Sequence, residues 1–214
     1  VWRRPGRTAL SSLGIALALS IVILGRFGYD AYGPMVMVRF ERQQREDLTV
    51  SFIEAMPERG LGYLGHVPGV EEVEGLRSTP VRMRAGHRWR DSVLIGIPRA
   101  SNLRRLFNLD FEHVPVPEEG VLLTNVLAEI LGVGPGDPID IELKEGDRGQ
   151  RQLTVAGVIE EGFGLQGYLS KPVLHRLLRE APTFSSALIR IDAPMESEVQ
   201  ARLNDIPAIE AVSR

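Results

Sequence analysis

The longest apolar segment of the chain runs from Thr8 to Gly25, where eighteen successive residues carry no charge. An α-helix rises 1.5 Å per residue, so a helix of this length spans about 27 Å, close to the thickness of the hydrocarbon core of a bilayer. We therefore expect a membrane-spanning helix within residues 1–33. The predicted membrane anchor comprises Arg3, Arg4, Arg7, Leu13, Ile15, Leu17, Ile21, Ile23 and Leu24.

Two other interpretations of this segment are a cleaved signal peptide and a buried helix of a soluble protein. A signal peptide requires a cleavage site of small residues after the apolar region. Bulky and charged residues follow Gly25 instead: Arg26, Phe27, Tyr29 and Asp30. The arginines before the segment favour a cytoplasmic N-terminus, which predicts that residues after about 30 lie outside the cytoplasm in the cell (inner) membrane.

Residues 26–47 mix apolar and charged positions too closely for a lipid-embedded helix. We interpret residues 34–47 as a partly helical stalk that carries the membrane helix outward, with Pro34 starting or kinking it. The folded part of the chain then begins at Leu48.

Alternation of apolar and polar residues predicts the first strands of this part. We expect a strand over 48–55, a short helix from Pro57 to about His66, and a hairpin that turns at residues 85–87 and returns over 91–97. A short helix is expected over residues 100–108.

The second half of the chain follows its own pattern. A short strand leads into a helix that starts at Thr124 or Asn125 and stops at Gly132. Strands over 139–143 and 152–160 form an antiparallel pair, and residues 162–169 form a loop. The remaining predicted elements are a helix capped by Ser170, a strand over 186–192 and a helix over 195–205.

The end of the chain repeats the order of its beginning, because each contains a strand, a proline, a helix and a Pro-containing turn before a further apolar run. This self-similarity predicts an α+β fold in which two βαβ-like units share one sheet. We assign residues 48–117 and 183–214 to these units and residues 118–182 to an inserted β-rich subdomain.

Composition narrows the possible functions. The net charge is −3, which gives no general attraction to nucleic acid, and the chain contains no cysteine, which excludes disulfides and cysteine metal sites. The four histidines are scattered, and neither an HExxH nor a GxSxG motif occurs. We therefore expect no catalytic, cofactor or metal site in this chain.

Two G-x-G-x-x-G strings occur, at residues 60–65 and 162–167. Pro68 leaves no room for the helix that must follow the first string in a dinucleotide site. The second string is better placed between a predicted strand and a predicted helix. A connecting loop is the favoured interpretation, and a membrane-tethered dinucleotide enzyme remains an alternative.

Eight arginines and one acid, Asp91, lie between residues 77 and 105. A solvated hairpin face is the default interpretation of this cluster, and a nucleic-acid patch is disfavoured outside the cytoplasm. The same charges would suit an acidic partner or anionic lipid headgroups. The residues that we single out for this partner or lipid patch are Arg82, Arg84, Arg88 and Arg90.

The order of these segments resembles the MacB/FtsX-like family of ABC transporter permeases. The resemblance rests on RRPGRTALSSLGIALALSIVI, VPGVEEVEGLRSTPVRMRAGHRWRDSVLIGI, GVLLTNVLAEILGVGPGDPIDIEL and LTVAGVIEEGFGLQGYLS. It implies the N-terminal part of a permease subunit with a MacB-like periplasmic core domain.

Such a subunit acts with a cytoplasmic ABC ATPase subunit that binds the ATP, with a second permease subunit, with membrane lipid and with a possible envelope partner protein. The implied substrates are lipids, lipoproteins, peptides or drugs. The alternative function is a single-pass, membrane-anchored extracytoplasmic binding module.

Overall fold

The computed structural model describes residues 13–23, 45–108, 112–146, 148–161 and 164–213. The chain divides into two units, Val1–Arg42 and Gln43–Arg214. In the first unit, residues 13–23 form a helix, α1, and every one of them is exposed. No helix in the described ranges has both the length and the apolar character needed to cross a membrane.

The predicted membrane anchor is therefore described only in part. Leu13, Ile15, Leu17, Ile21 and Ile23 lie in α1, and each is more than half exposed. Arg3, Arg4, Arg7 and Leu24 lie outside the described residues, as does the predicted stalk apart from residues 45–47. The membrane span and the stalk remain predictions.

The second unit combines eleven described strands with four described α-helices. The strands are β1 Leu48–Pro57, β2 Val70–Ala85, β3 Arg88–Ile97, β4 Leu106–Phe107, β5 His113–Val114, β6 Val121–Thr124, β7 Pro138–Leu143, β8 Gln150–Ile159, β9 Gln166–Ser170, β10 Thr183–Ile191 and β11 Ile209–Ser213. The helices are α2 Gly60–Gly65, α3 Asn125–Leu131, α4 Lys171–Leu178 and α5 Glu196–Asn204, and a 3-10 turn at Ala193–Met195 precedes α5.

Four adjacent strands in the order β11-β1-β10-β2 form an antiparallel sheet, which with α2 and α5 we call the four-stranded lobe. The segments β1-α2-β2 and β10-α5-β11 interleave in this sheet: β10 lies between β1 and β2, and β1 lies between β10 and β11. Alternate residues of β1 (Leu48, Val50 and Phe52) are buried, and the ring of Phe52 packs edge to face with Phe184 at 5.1 Å.

These four strands are part of a nine-stranded sheet, and the remainder of that sheet closes into a barrel. The barrel strands follow the order β2-β3-β9-β6-β8-β7, and β7 pairs again with β2. Closure occurs where Val81–Arg84 pair with Asp140–Leu143. The interior is filled by buried aliphatic and Met side chains, and α3 and α4 add further leucines to the same core. The barrel takes strands from both sides of the predicted boundary between residues 117 and 118, and the subdomain limits themselves stay a prediction.

Strand β2 belongs to both parts of the domain. It has 16 residues, so it extends about 50 Å. Its first half pairs with β10 in the four-stranded lobe, and its second half pairs with β3 and β7 in the barrel. The predicted hairpin turn at residues 85–87 is confirmed and lies at the far end of β2.

The helix predicted over residues 100–108 is wrong. The carboxylate of Glu74 accepts hydrogen bonds from Ser101 Oγ at 2.5 Å, the Asn102 N–H at 2.5 Å and the Leu103 N–H at 3.2 Å. These contacts hold residues 101–103 as a loop against β2. The chain then continues into β4 (Leu106–Phe107), which pairs with β5.

The loop predicted over residues 162–169 is also wrong in its second part, because Gln166–Ser170 form β9, a barrel strand between β3 and β6. The segment Gln166–Ser170 lacks the apolar alternation typical of a strand because Gly167 occupies one of its buried positions. A Cβ atom there would lie 2.8 Å from Met83 Cε, 3.0 Å from Leu94 Cδ2 and 3.0 Å from Val121 Cγ2, so the barrel interior leaves no space for a side chain.

This strand also bears on the glycine string at residues 162–167. Gly162 and Phe163 lie outside the described residues, and Gly167 lies within β9. A dinucleotide fingerprint opens a helix at its glycines. Here the last two residues of the string already belong to a strand, so the local structure does not match that fingerprint.

Candidate functional site

The four arginines of the predicted partner or lipid patch lie on two faces of the β2–β3 hairpin. Arg82 is paired with Asp91 in the ladder and Arg84 with Trp89. Directly paired residues point to the same side of a sheet and successive residues to opposite sides. Arg82 and Arg84 therefore share the face of Trp89, whereas Arg88 and Arg90 point to the other face.

On the first face, opposite charges balance the arginines. Arg82 Nε donates to Asp91 Oδ1 at 2.9 Å, Lys144 Nζ lies 2.9 Å from the same oxygen, and the Arg82 guanidinium lies 4.4 Å from the centre of the Trp89 ring. Hydrogen bonds from Arg82 and Lys144 lower the pKa of Asp91 to about 2. The neighbouring strand β7 places Asp140 opposite Arg84.

On the second face, Arg88 lies against the end of α3. Gly132 terminates this helix with a left-handed φ of 66°, and a Cβ atom at Gly132 would collide with the Arg88 guanidinium. A cation at this position interacts favourably with the C-terminal carbonyls of a helix. Arg88 and Arg90 form no ion pair with any residue that the structure describes. The hairpin therefore carries separated charges and not one basic surface.

Two other arginines of the cluster are turned inward and hold the fold together. Arg77 is 6% exposed and forms ion pairs with Glu180 at 2.9 Å and with Glu145 at 3.4 Å. Arg104 Nη2 lies 2.5 Å from Glu46 Oε1, and the exposed fractions of these two side chains are 18% and 5%. The number of arginines in the sequence does not distinguish these two paired side chains from exposed ones.

Residues 45–47, which we call the linking segment, join the domain directly before β1. The Arg45 N–H donates to the carbonyl of Leu103 at 2.9 Å, and the Asp47 N–H donates to the carbonyl of Ile189 at 2.9 Å. The Asp47 carboxylate accepts from the Ile191 N–H at 2.9 Å. The linking segment is thus bonded on one side to β10 and on the other to the loop before β4.

Glu46 and Arg104 form one half-buried pair, and Glu161 and Tyr168 form a second pair. Because the charge of Arg104 acts on both carboxyl groups, we call these four residues the Arg104 junction. Tyr168 Oη lies 2.9 Å and 2.8 Å from the two carboxylate oxygens of Glu161, to which its hydroxyl donates. Tyr168 belongs to β9, and Glu161 follows β8.

Burial dominates the electrostatics of this junction. Burial raises the pKa of Glu46, against the opposing charge of Arg104. Burial also raises the pKa of Glu161, against the Tyr168 hydrogen bond and the Arg104 charge. Burial and the neighbouring Glu161 raise the pKa of Tyr168. The charge of Arg104 therefore lowers the pKa of both half-buried carboxyl groups against the effect of burial, and it is in contact with Glu46.

A further charged link joins α4 to the four-stranded lobe. The buried Nζ of Lys171 contacts Glu58 and donates to the Gly75 carbonyl at 3.0 Å. His175, on the next turn of α4, lies 3.0 Å from the Thr183 carbonyl through Nε2. The sequence identified Lys171 only as the first residue of a helix, and that helix is confirmed with Ser170 as its N-cap.

Sequence reasoning did not find the Arg104 junction. Its members are residues 46, 104, 161 and 168, which no local motif connects. Tyr168 fell within a predicted loop, so no signal marked it as buried. Within the described parts of the chain, no group of three His, Asp or Glu side chains is arranged to hold a metal ion.

Comparison with known proteins identifies the fold. No protein-family model matches the sequence, and no curated protein matches it. The extracellular domain of the noncanonic ABC-type transporter YknZ from Gram-positive bacteria superposes with a TM-score of 0.54 at 16% identity, over 78% of this chain and 99% of that one. The periplasmic region of MacB from Actinobacillus actinomycetemcomitans superposes with a TM-score of 0.55 at 12% identity, over 82% of this chain and 91% of that one.

At these identities the likeness shows a shared fold. The resemblance to the MacB-like periplasmic core domain, suggested by the order of sequence segments, is confirmed at that level. The chain contains the mixed α+β architecture of that domain.

Proposed function

We propose that this chain is part of a permease subunit of an ABC transporter and that its domain of residues 43–214 works outside the cytoplasm. The observation that carries the proposal is the likeness to two transporter domains, which extends over nearly all of each of them. The uncharged segment Thr8–Gly25 and the arginines before it supply the expected membrane helix and its orientation.

In this proposal the chain does mechanical work and no chemistry of its own. A separate cytoplasmic ATPase subunit binds and hydrolyses ATP, and the permease dimer passes the resulting movement through residues 34–47 to the outer domain. That domain then handles a lipid, lipoprotein, peptide or drug, or contacts an envelope partner. The hydrogen bonds of the linking segment to both β10 and Leu103 support this role, because they attach the chain firmly where movement would arrive.

The location of the domain is tested by single cysteines, since the chain has none of its own. A His87→Cys variant presents a thiol at the exposed hairpin turn, and an Arg4→Cys variant marks the predicted cytoplasmic end. We expect a membrane-impermeant maleimide to label the first variant in intact spheroplasts and the second only after lysis. Protection of the His87→Cys thiol in intact spheroplasts would reject the proposed location.

The ATPase partner is tested by affinity purification of the full-length protein from its native membranes. We expect an ABC ATPase subunit in fixed stoichiometry with the permease. The alternative, a single-pass anchored binding module, predicts purification without any ATPase. Replacement of residues 34–45 by a flexible Gly/Ser segment should leave the ATPase bound but stop transport, and unchanged transport would reject the coupling role of the stalk.

A further inference from the structure

A groove of about 580 Å³ lies on the surface of the barrel between β8 and α4, and we call it the β8–α4 groove. Its apolar floor consists of Leu153 from β8 and of Val173 and Leu177 from α4, which all pack against the barrel core. The volume lies within the range of about 300–1,000 Å³ that is typical of small-molecule sites. The groove is therefore large enough for a ligand with an apolar part.

Positive charge predominates among the side chains that line this groove. Arg151 comes from β8, Arg176 from α4 and Arg179 from the end of α4, and Glu119 is the only acid among the lining residues that the structure describes. Residues three and four positions apart share a helix face, which places Arg176 beside the apolar floor. The next acid along the chain, Glu180, pairs with Arg77 at 2.9 Å. The groove thus combines an apolar floor with basic side chains.

The backbone of Arg179 provides an independent observation. In the described part of the chain, Arg179 is the only non-glycine residue with a positive φ, which is 54°. Glycine is the usual residue at this position after a helix, as Gly132 is after α3 with a φ of 66°. A left-handed conformation is strained for a residue with a Cβ atom, and such strain is concentrated at ligand sites. Arginine at this position keeps a cation beside the groove in a conformation that glycine would adopt without strain.

We propose that the β8–α4 groove binds an anionic lipid, whose acyl chain lies on the apolar floor and whose phosphate group is bound by the three arginines. Guanidinium groups bind phosphate oxygens through charge-assisted hydrogen bonds. The apolar floor favours a lipid over inorganic phosphate or a highly acidic peptide, since neither of these would cover it. A role of this lipid in transport rests on the proposed function, whereas its binding is measured independently of transport.

Photolabelling of the full-length protein in phosphatidylcholine nanodiscs tests this proposal. The probe is lysophosphatidylglycerol with a diazirine in its single acyl chain, and single-chain lipids bind membranes reversibly, so the probe reaches the groove through water. After illumination and pepsin digestion, mass spectrometry should locate the label in residues 151–156 and 173–179. Lysophosphatidylcholine with the same acyl chain carries no net charge and should label these segments roughly fivefold less, a change at the upper end for exposed ion pairs.

Arg179→Gly separates ligand binding from stability. Glycine adopts the left-handed conformation without strain, so the variant should unfold at the same Tm or a higher one, while labelling by the anionic probe falls roughly fivefold. Arg176→Gln should lower the labelling to a similar extent, and Arg176→Lys should keep part of it. Arg202→Gln is a matched control, because Arg202 is a helix arginine on α5 that pairs with Glu198 at 2.7 Å, and it should leave the labelling unchanged.

Equal labelling by the two lipids, or labelling that persists in both Arg179→Gly and Arg176→Gln, would overturn the inference. Competition at constant ionic strength distinguishes the other anions. Inorganic phosphate that suppresses the label would assign the groove to a free anion, octaglutamate that suppresses it would assign the groove to an acidic partner protein, and either result would reject the lipid. The labelling needs no ATPase, so purification without an ATPase would reject the proposed function and leave the labelling unaffected.

Discussion

Replacement of Gly167 by alanine tests whether the barrel interior is packed as the structure indicates. The new methyl group would meet Met83 Cε at 2.8 Å, and Leu94 Cδ2 and Val121 Cγ2 at 3.0 Å each. The thioether of Met83 has rotatable bonds and yields most easily, whereas Leu94 and Val121 are fully buried and have no free space to enter. The substitution should therefore overpack the core.

The magnitude follows from two opposing effects. Overpacking of a well-packed core costs about 1–3 kcal/mol, and alanine recovers about 0.4–1 kcal/mol by restricting the unfolded chain. We expect a net loss of about 1–2 kcal/mol in the free energy of unfolding, which lowers Tm by about 2–4 °C for each kcal/mol in a domain of this size. Urea unfolding of a fragment of residues 43–214, followed by far-UV circular dichroism, measures the loss.

Gly62→Ala is the matched control for this measurement. Gly62 lies in α2, and no atom lies within 4 Å of a Cβ at that position. The same substitution should there stabilise the fragment by about 0.5–1 kcal/mol, because alanine favours the helix. If Gly167→Ala is as stable as the parent while Gly62→Ala behaves as expected, the interior around β9 is not packed as described and the reasoning fails.

Three further predictions follow from charged groups. Burial raises the pKa of Glu161 above its usual 4.5, so just above that pH the folded state binds more protons than the unfolded state and stability falls as pH rises. Glu161→Gln should reduce this fall in the urea midpoints measured from acid to neutral pH. An unchanged pH dependence in the variant would contradict the assignment. The pKa of Asp91, followed by the NMR signal of its carboxyl carbon, should be about 2 in the parent protein and should rise toward the usual value in Arg82→Met. The same pKa in the parent and in the variant would show that the hydrogen bond from Arg82 is not formed in solution. Lys171→Met should lower the free energy of unfolding by about 1–3 kcal/mol, because Glu58 loses its buried partner, and a stable variant would show that this link is dispensable.

The sequence determined those elements whose signal is local. The hairpin turn at residues 85–87 was predictable because its flanking residues alternate and a glycine marks the turn. Helix α3 was predictable because Thr124 precedes its apolar positions and Gly132 follows them. The mixed α+β class and the likeness to the MacB-like core domain followed from the order of such elements along the chain, and the fold comparison agrees with both.

Tertiary structure alone decided the elements that depend on distant partners. β9 has no apolar alternation of its own, because Gly167 is required by side chains from three other strands. Residues 100–108 do not form a helix because Leu106 and Phe107 pair with His113 and Val114, and Glu74, on β2, holds residues 101–103 in the preceding loop.

The same reason separates the candidate sites. The arginine cluster was visible in the sequence, yet the pairing register divides its exposed members between two faces. Arg77, which is buried, and Arg104, which is half-buried, pair with acids up to 103 residues away. The Arg104 junction has no sequence signature, since Glu46 pairs with Arg104, 58 residues away, and Tyr168 was predicted to lie in a loop. Local sequence patterns therefore predict which segments form strands and turns. Which charged side chains become buried depends on contacts between segments that are distant in sequence and meet only in the folded domain.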